Sequence, residues 1–352
     1  MVVRDFRPLR VAGIERLCDD AVAVTFDVPD ELASRYAFRA GQSLTVRKPG
    51  DAADERRSYS ICAAEGERPR IGVREVPGGL VSGWLVRELR VGDAVEVAPP
   101  TGSFTPDLVA GGRHVMIAAG SGITPVLSIA TSLLRNPKAQ VSILYGNRRA
   151  ATVMFAEELA DLKDSHPSRL ELAHLLSREA REVDLLSGRI DAAKLRELLP
   201  LLIDVRAVDH WWLCGPFGMV VDAVEVLGEA GVESERIHRE LFWVDEVPPT
   251  PRRSEAGIAG PSSEVTVIMD GRSTLVEVAD GDTVLEGAQR SRPDLPFACK
   301  GGVCGTCRGR VLEGEVTMRR NFALEPHELA EGLVLTCQST PVTPKLVVTF
   351  DE

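Results

Sequence analysis

With 352 residues, 44% of them hydrophobic and 26% charged, the chain is long enough for two or three globular domains. It has no run of eighteen uninterrupted apolar residues, and residues 1–10 carry Arg4, Arg7 and Arg10 without an apolar core, so neither a membrane span nor a secretory signal is expected and the expected location is cytoplasmic. A formal charge of −11 opposes phosphate-backbone binding and excludes nucleic acid as the main partner.

From Arg10 to about Asp107, short β-rich runs separated by turn residues predict a small antiparallel β-barrel: AVAVTFDV (21–28), SLTVR (43–47), SYSIC (58–62), RIGVREV (70–76) and DAVEVAPP (93–100). At the third run and the residue before it, Arg57, Tyr59 and Ser60 put a cation, a flat aromatic and a hydroxyl on one strand, with Arg57 and Tyr59 on the same face. Such a set can hold a flavin phosphate and meet its ring, although an ordinary half-exposed strand has the same composition. From His114 onward, apolar strands alternate with helical stretches: HVMIAAG, TPVLSIATSLLRN, VSILYGN, MFAEELADLKDSH, RLELAHLLS, KLRELLP, HWWLCG and MVVDAVEVLGEAG. Alternation of this kind predicts an α/β domain with a parallel sheet. GSGITP (120–125) follows its first strand, with Thr124 expected as helix N-cap and Pro125 at the first helical position. Gly120 and Gly122 would let a pyrophosphate approach the backbone and the helix N-terminus, as would be needed for a dinucleotide, but a plain tight turn reads the same way. LCGPFGM (213–219) ends a later strand and places Cys214 where a nicotinamide ring could lie; read alone, Cys214 is a small buried hydrophobe.

EVPPTPRRSEAGIAGPSS (246–263) reads as an extended linker. Beyond it, EVTVIMD and TLVEVAD joined by a turn at Gly271, the helix-like TVLEGAQR and the closing strand KLVVTF predict a third, α+β domain. The expected division is 1–107 for the barrel, 108–245 for the nucleotide-binding domain, 246–263 for the linker and 264–352 for the last domain. Four of the seven cysteines crowd into that last domain, as Cys299, Cys304 and Cys307, then Cys337 after twenty-nine intervening residues. The C-x4-C-x2-C spacing with a distant fourth cysteine is the plant-type [2Fe-2S] arrangement. Gly301, Gly302 and Gly305 supply small residues where loop amides must turn inward toward sulfur. A four-cysteine zinc site is the competing reading and implies a colourless protein. The six histidines show no metal-ligand spacing, His238 reads as structural, and there is no G-x-x-x-x-G-K-[ST], H-E-x-x-H or G-x-S-x-G motif.

PFACKGGVCGTC (296–307), VLEGEV (311–316), LEPHELAEG (324–332) and LTCQS (335–339) resemble the ferredoxin domains fused to flavin-dependent oxygenase reductases, which implies a β-grasp fold over 264–352. RSYS (57–60), GGLVSGWL (78–85), PPTGSF (99–104), GSGITP and CGPFGM occur in the order and spacing of the ferredoxin-NADP reductase family, a resemblance spanning 8–245. It implies that Arg57, Tyr59 and Ser60 bind FAD with Val73 near its ring, and that Gly79, Leu80, Val81 and Ser82 reach its phosphates. Gly120 and Thr124 would border the nicotinamide nucleotide, Cys214, Gly215 and Met219 would complete its site, and Glu240 and Phe242 would close near the reactive edge. Ser60, Cys214 and Glu240 are the implied catalytic set. Ser177 and Arg178, with Arg148 as a second cation, match the family's 2′-phosphate site and favour NADPH, with NADH the alternative.

Reductase first and ferredoxin last, with YGNRRAATVMF (145–155), LADLKDSHPSRLEL (159–172) and DLLSGRID (184–191), resembles the reductase subunits of the phenylacetyl-CoA epoxidases, a group of multicomponent di-iron oxygenases. The linker, with Arg252 and Arg253, is longer and more polar than theirs. The resemblance implies that electrons pass from NADPH through FAD and a [2Fe-2S] cluster to external oxygenase subunits. Alternatives are an NADH-dependent reductase for a ring-hydroxylating or steroid-hydroxylating oxygenase, and a non-catalytic redox-sensing or zinc-stabilised nucleotide-binding module. Residues 264–352 hold fourteen acidic and nine basic side chains, a denser negative charge than the rest of the chain; the readings are solubility and steering toward a basic patch on the oxygenase.

Overall fold

The computed structural model describes residues 6–49, 55–243, 262–269, 271–292 and 295–351, the side chains of Phe242 and Trp243 excepted. Phe242's expected place at the ring edge, and most of the expected linker, therefore lie outside the described residues. The chain forms two compact units, one holding the first two sheets and the other the third.

The first sheet comprises β1 (Arg7–Cys18), β2 (Ala21–Asp27), β3 (Ser43–Arg47), β4 (Arg56–Ser60), β5 (Arg70–Arg74) and β6 (Ala94–Val97), in the antiparallel order β4-β3-β6-β1-β2-β5. A bridge between Ile61 and Ile71 joins its two ends and closes the barrel. Leu9, Val24, Phe26, Leu44, Val46, Ile71 and Val97 fill its centre. β1 escapes sequence patterning because only Leu9 and Val11 of its twelve residues are buried, and the register shifts between Val11 and Gly13. Helix α1 (Leu80–Arg87) was legible only as a motif; Val81, Trp84 and Leu85, at helical spacing, press into the barrel core.

The second sheet is wholly parallel. β7 (Gly112–Ala119), α2 (Ile123–Leu134), β8 (Ala139–Asn147), α3 (Ala156–Ser165), β9 (Leu170–Leu176), α4 (Ala192–Leu202), β10 (His210–Pro216), α5 (Phe217–Glu229) and β11 (Ile237–Trp243) give the strand order β11-β10-β7-β8-β9. The order in which strands are laid down reverses between β7 and β10, which opens a crevice at their carboxyl ends. One local expectation is corrected here. Gly122, not Thr124, is the N-cap of α2, because Gly120–Gly122 already forms a 3-10 turn that runs into the helix; Thr124 and Pro125 fall at the second and third helical positions.

The third sheet contains β12 (Ser262–Met269), β13 (Arg272–Ala279), β14 (Arg308–Glu313), β16 (Leu333–Leu335) and β18 (Lys345–Thr349), in the order β13-β12-β18-β14-β16, with β12 and β18 parallel and the other pairs antiparallel. Helix α6 (Val284–Gln289) starts at a Thr283/Glu286 capping box and buries Val284, Leu285 and Ala288 against the sheet, the β-grasp arrangement. β15 (Val316–Met318) pairs with β17 (Ser339–Pro341), and the short helix α7 (Pro326–Ala330) precedes β16. Among the described residues no helix is long and apolar enough to cross a membrane.

Candidate functional site

The crevice between β7 and β10 is tight at its floor. A Cβ on Gly122 would lie 2.1 Å from the carbonyl oxygen of Cys214, so only glycine lets the turn after β7 pass the end of β10. Gly120 has φ +56°, and its carbonyl accepts a hydrogen bond from the Tyr145 hydroxyl at 2.9 Å. Gly215 faces Met219 at the start of α5; a Cβ there would meet the Met219 methyl at 2.7 Å and the Ala119 amide at 3.2 Å.

β11 lies beside β10 with Glu240 opposite Cys214. From the barrel, at the end of β4, the Ser60 hydroxyl donates to Glu240 Oε2 at 3.1 Å, across 180 positions of sequence. Burial pushes the Glu240 carboxyl up to about 7, against the pull of that hydrogen bond. Cys214 is fully buried, and burial, with the neighbouring Glu240, pushes its thiol well above the ordinary value. A hydroxyl, a carboxyl near neutrality and an un-ionised thiol thus meet at the topological switch point, with no charged nucleophile among them.

The expected flavin residues lie on β4, on β5 and at the start of α1. Tyr59 is half-buried and its hydroxyl is pushed up by burial. Arg57 is exposed, 2.8 Å from Glu55 and donating to the Arg56 carbonyl. At the start of α1 the first helical bond runs from Gly83 to the Gly79 carbonyl, so the amides of Leu80, Val81 and Ser82 precede the helix's own ladder. The Ser82 hydroxyl turns back on its own loop, accepting from the Val76 amide at 3.1 Å. No acidic residue stands in this first turn. An anionic phosphate fits these amides. Val73 and Val81 have their side chains in the barrel core, so they offer a cofactor only main chain.

On the nucleotide side, Thr124 is buried, and its hydroxyl donates to the Ser121 carbonyl at 2.9 Å. At the carboxyl ends of β8 and β9 the chain pairs Ser177 with Asn147 and Arg178 with Arg148, through amide-to-carbonyl bonds of 2.9 Å each, so the two exposed arginines stand side by side. Glu179, next to Arg178 in the chain, accepts from the Ala150 amide at 2.9 Å. Three side chains escape a reading of the sequence. Arg74 Nη1 lies 3.4 Å from where a Cβ on Gly120 would be, and Arg74 also pairs with Asp20 at 3.2 Å; only the fold brings β5 under the glycine turn. His174 Nδ1 and the Asn147 carboxamide, the latter beside the Tyr145 hydroxyl, are buried without a well-formed hydrogen bond among the described residues. Orphaned polar groups beside a glycine cradle fit a polar ligand.

The cysteine loop in the ferredoxin unit is built differently. Lys300, Gly302 and Gly305 all have positive φ, which curls the backbone so that the Gly301 and Cys304 amides donate to Cys299 Sγ at 3.3 and 3.4 Å. The thiols associate in two pairs, Cys299 with Cys304 and Cys307 with Cys337. The first pair is partly exposed and the second buried. The Cys304 thiol, with the loop amides and against burial, holds the Cys299 thiol below its ordinary value. Among the described residues no three His, Cys, Asp or Glu side chains converge on one ion position. Two thiol pairs on this loop fit the donor set of a two-iron cluster. His114, His210 and His238 instead stack about Trp212, whose indole N–H donates to His114 at 3.2 Å.

Comparison with known proteins matches three family models: an oxidoreductase FAD-binding domain over residues 8–105, an oxidoreductase NAD-binding domain over 116–225 and a 2Fe-2S iron-sulfur cluster binding domain over 267–342. The E subunit of 1,2-phenylacetyl-CoA epoxidase from Escherichia coli (strain K12) is 43% identical over 352 residues, covering 98% of each chain. The ferredoxin reductase component of 3-ketosteroid-9-alpha-monooxygenase from Rhodococcus rhodochrous is 32% identical, covering 97% of this chain and 96% of its own. Among solved structures, phthalate dioxygenase reductase shares the fold with a TM-score of 0.61 at 24% identity, with 98% of both chains covered.

Proposed function

The chain belongs to the oxygenase reductases, NAD(P)H-dependent flavoproteins of the ferredoxin-NADP reductase family that carry FAD-, NAD- and [2Fe-2S]-binding domains, and we propose that it draws on NADPH in the cytoplasm and serves a di-iron oxygenase acting on phenylacetyl-CoA. When bound, the nicotinamide supplies an electron pair, the flavin takes the pair and releases it singly, and the cluster carries single electrons onward.

The residues divide that work. Arg57, Tyr59 and Ser60, with the amides of Gly79, Leu80, Val81 and Ser82 and the main chain of Val73, would hold the flavin. Gly120, Thr124, Gly215 and Met219 would shape the nicotinamide slot, with Phe242 closing it and Arg148, Ser177 and Arg178 gripping the 2′-phosphate. Ser60, Cys214 and Glu240 would orient the two rings for transfer. Ser60 keeps the Glu240 carboxyl from rotating, and Cys214, un-ionised, gives the slot an uncharged wall. Transfer as hydride would ask no proton-abstracting base of the chain. Cys299 and Cys304 would bind one iron, Cys307 and Cys337 the other. The proposed divisions of the chain are 1–107, 108–245, 246–263 and 264–352.

The observation that carries the reading is the meeting of Ser60, Glu240 and Cys214 at the switch point in a chain that also holds two thiol pairs on a curled loop. Anaerobic titration with NADPH, followed in the visible, tests it: flavin and iron-sulfur bands should both bleach, and a protein colourless after iron and sulfide loading rules the reading out. The oxygenase assignment rests on the 43% identical relative. Relatives at 32 to 33% identity from steroid monooxygenases favour a second reading, delivery from NADH to a steroid hydroxylase. Coupled turnover with each oxygenase and each nucleotide separates the two.

A further inference from the structure

Between β16 and β17 the chain turns around Cys337, and the residue after it is bonded both to the cluster loop and to the segment of the fourth cysteine. Gln338 is 7% exposed. Its carboxamide nitrogen donates in three directions: Nε2 lies 2.9 Å from the Lys300 carbonyl, 2.9 Å from the Cys337 carbonyl and 3.4 Å from Cys337 Sγ. A carboxamide has two N–H bonds. One serves Lys300, on the segment that carries three ligands; the other is shared between the carbonyl and sulfur of the fourth ligand. Main-chain bonds fix where Gln338 stands, its N–H to the Leu335 carbonyl at 2.8 Å and its carbonyl from the Arg319 amide at 2.9 Å.

The other end of this strut is a strained point. Lys300 is one of two described non-glycine residues with positive φ, at +51°, and its carbonyl must be held for the following amides to face inward. Its ammonium is tied to Gln289 at 2.9 Å and lies over the Phe297 ring. Gly302, whose amide donates to Cys337, leaves only enough room for Gln338: a Cβ there would come within 3.0 Å of Gln338 Cγ.

We propose that Gln338 is a positioning residue for the cluster, clamping the left-handed Lys300 turn onto the Cys337 segment and donating to Cys337 sulfur so as to favour the reduced centre. The physics is one-sided. Reduction adds negative charge to the sulfurs, so a fixed N–H donor stabilises the reduced form more than the oxidised one and raises the potential. Gln338→Leu and Gln338→Met keep the bulk and delete the donor; Gln338→Glu keeps the shape and replaces the donor with a carboxylate beside sulfur.

The test is an EPR-monitored redox titration of the full-length holoprotein, with iron and sulfide counted in each variant and the flavin potential read in the same sample as internal reference. Expected is a shift of the cluster's reduction equilibrium by about tenfold toward the oxidised form in Gln338→Leu and Gln338→Met, 59 mV for one electron, with a larger shift in the same direction in Gln338→Glu and no change in the flavin. An unchanged or raised cluster potential at full iron content overturns the proposal. So does an equal shift of both cofactors, which marks a general loosening. Loss of the cluster from both the Leu and the Met variant also overturns it, because the proposal gives Gln338 a tuning and clamping role and leaves ligation to the four cysteines.

Discussion

Three of the four sulfurs in the ferredoxin unit come from nine consecutive residues, 299 to 307, and amides of the same nine residues point at them. In the reductase unit, by contrast, Ser60 and Glu240 meet across 180 positions, and the glycine turn that makes room for Cys214, opposite Glu240, follows yet another strand, β7. One redox site is therefore local chain geometry and the other is a product of strand order. The difference predicts separate failure. A change inside the loop should silence the cluster and spare the crevice, and a change at the crevice floor should do the reverse.

The largest effect is expected from Cys304→Ser, which removes one member of the outer thiol pair. The cluster EPR signal and one-electron delivery to a protein acceptor should fall to background, while ferricyanide reduction by NADPH through the flavin continues; loss of both activities together would show that the two sites are not separable. Gly122→Ala is the mirror experiment. The added methyl meets backbone at 2.1 Å, so the crevice must shift at a cost of about 1–3 kcal/mol, and flavin reduction should collapse while an intact iron-sulfur spectrum remains.

That same contrast decided what could be read from the sequence. The cysteine spacing gave the loop because the ligands are neighbours in the chain, and Gly301, Gly302 and Gly305 sit between them. The strands SLTVR and VSILYGN were legible because burial follows their composition, and β3 spans the same residues, Ser43–Arg47. β1 was not, since ten of its twelve residues are at least partly exposed and a bulge at Gly13 breaks the alternation. Thr124 was misassigned as a cap because a 3-10 turn merges with α2 ahead of it, a continuity that composition does not encode. Arg74 was missed for a deeper reason. Its place beneath Gly120 depends on the packing of the barrel against the parallel sheet, so no motif within either could name it.

Next in size is Ser60→Ala. Freed from its hydrogen bond, the Glu240 carboxyl can rotate; if it stands at the ring edge as proposed, the flavin-reduction rate should drop about a hundredfold with little change in flavin affinity. A drop confined to flavin content would sink that role. Glu240 also carries a pH signature. Its folded-state value, about 7, lies above the ordinary 4.5, so it binds a proton more tightly folded than unfolded. Its contribution to stability is complete below about 4.5 and is lost as pH rises through 7, a span of about 3 kcal/mol at most. Denaturant titrations of wild type and Glu240→Gln should diverge over that window, and parallel curves would rule out the elevated value.

Arg178→Ala should cost less, because the site it touches is exposed. Deleting one charge-assisted contact to a 2′-phosphate removes about 2 kcal/mol, close to thirtyfold in kcat/KM for NADPH, and leaves NADH untouched. Equal losses with both nucleotides would reassign Arg178 to the shape of the loop.

The smallest expected effect concerns the partner. The ferredoxin unit's acidic excess would steer it toward a basic face, yet the charged residues adjoining the ligand cysteines are Lys300 and Arg308, both cations, the latter paired with Glu328 at 2.6 Å. No acidic side chain adjoins a ligand cysteine in the chain and Glu328 is neutralised by Arg308, so the acidic excess is expected to act on encounter rather than on the electron-transfer contact. Salt screens such a field over about 10 Å at 0.1 M and about 3 Å at 1 M. Raising ionic strength should therefore slow second-order electron delivery to the oxygenase several-fold while the maximal rate in the preformed complex, and reduction of a small neutral dye, hold steady. A fall in the maximal rate instead would place the decisive charges at the contact itself, where Lys300 and Arg308 stand.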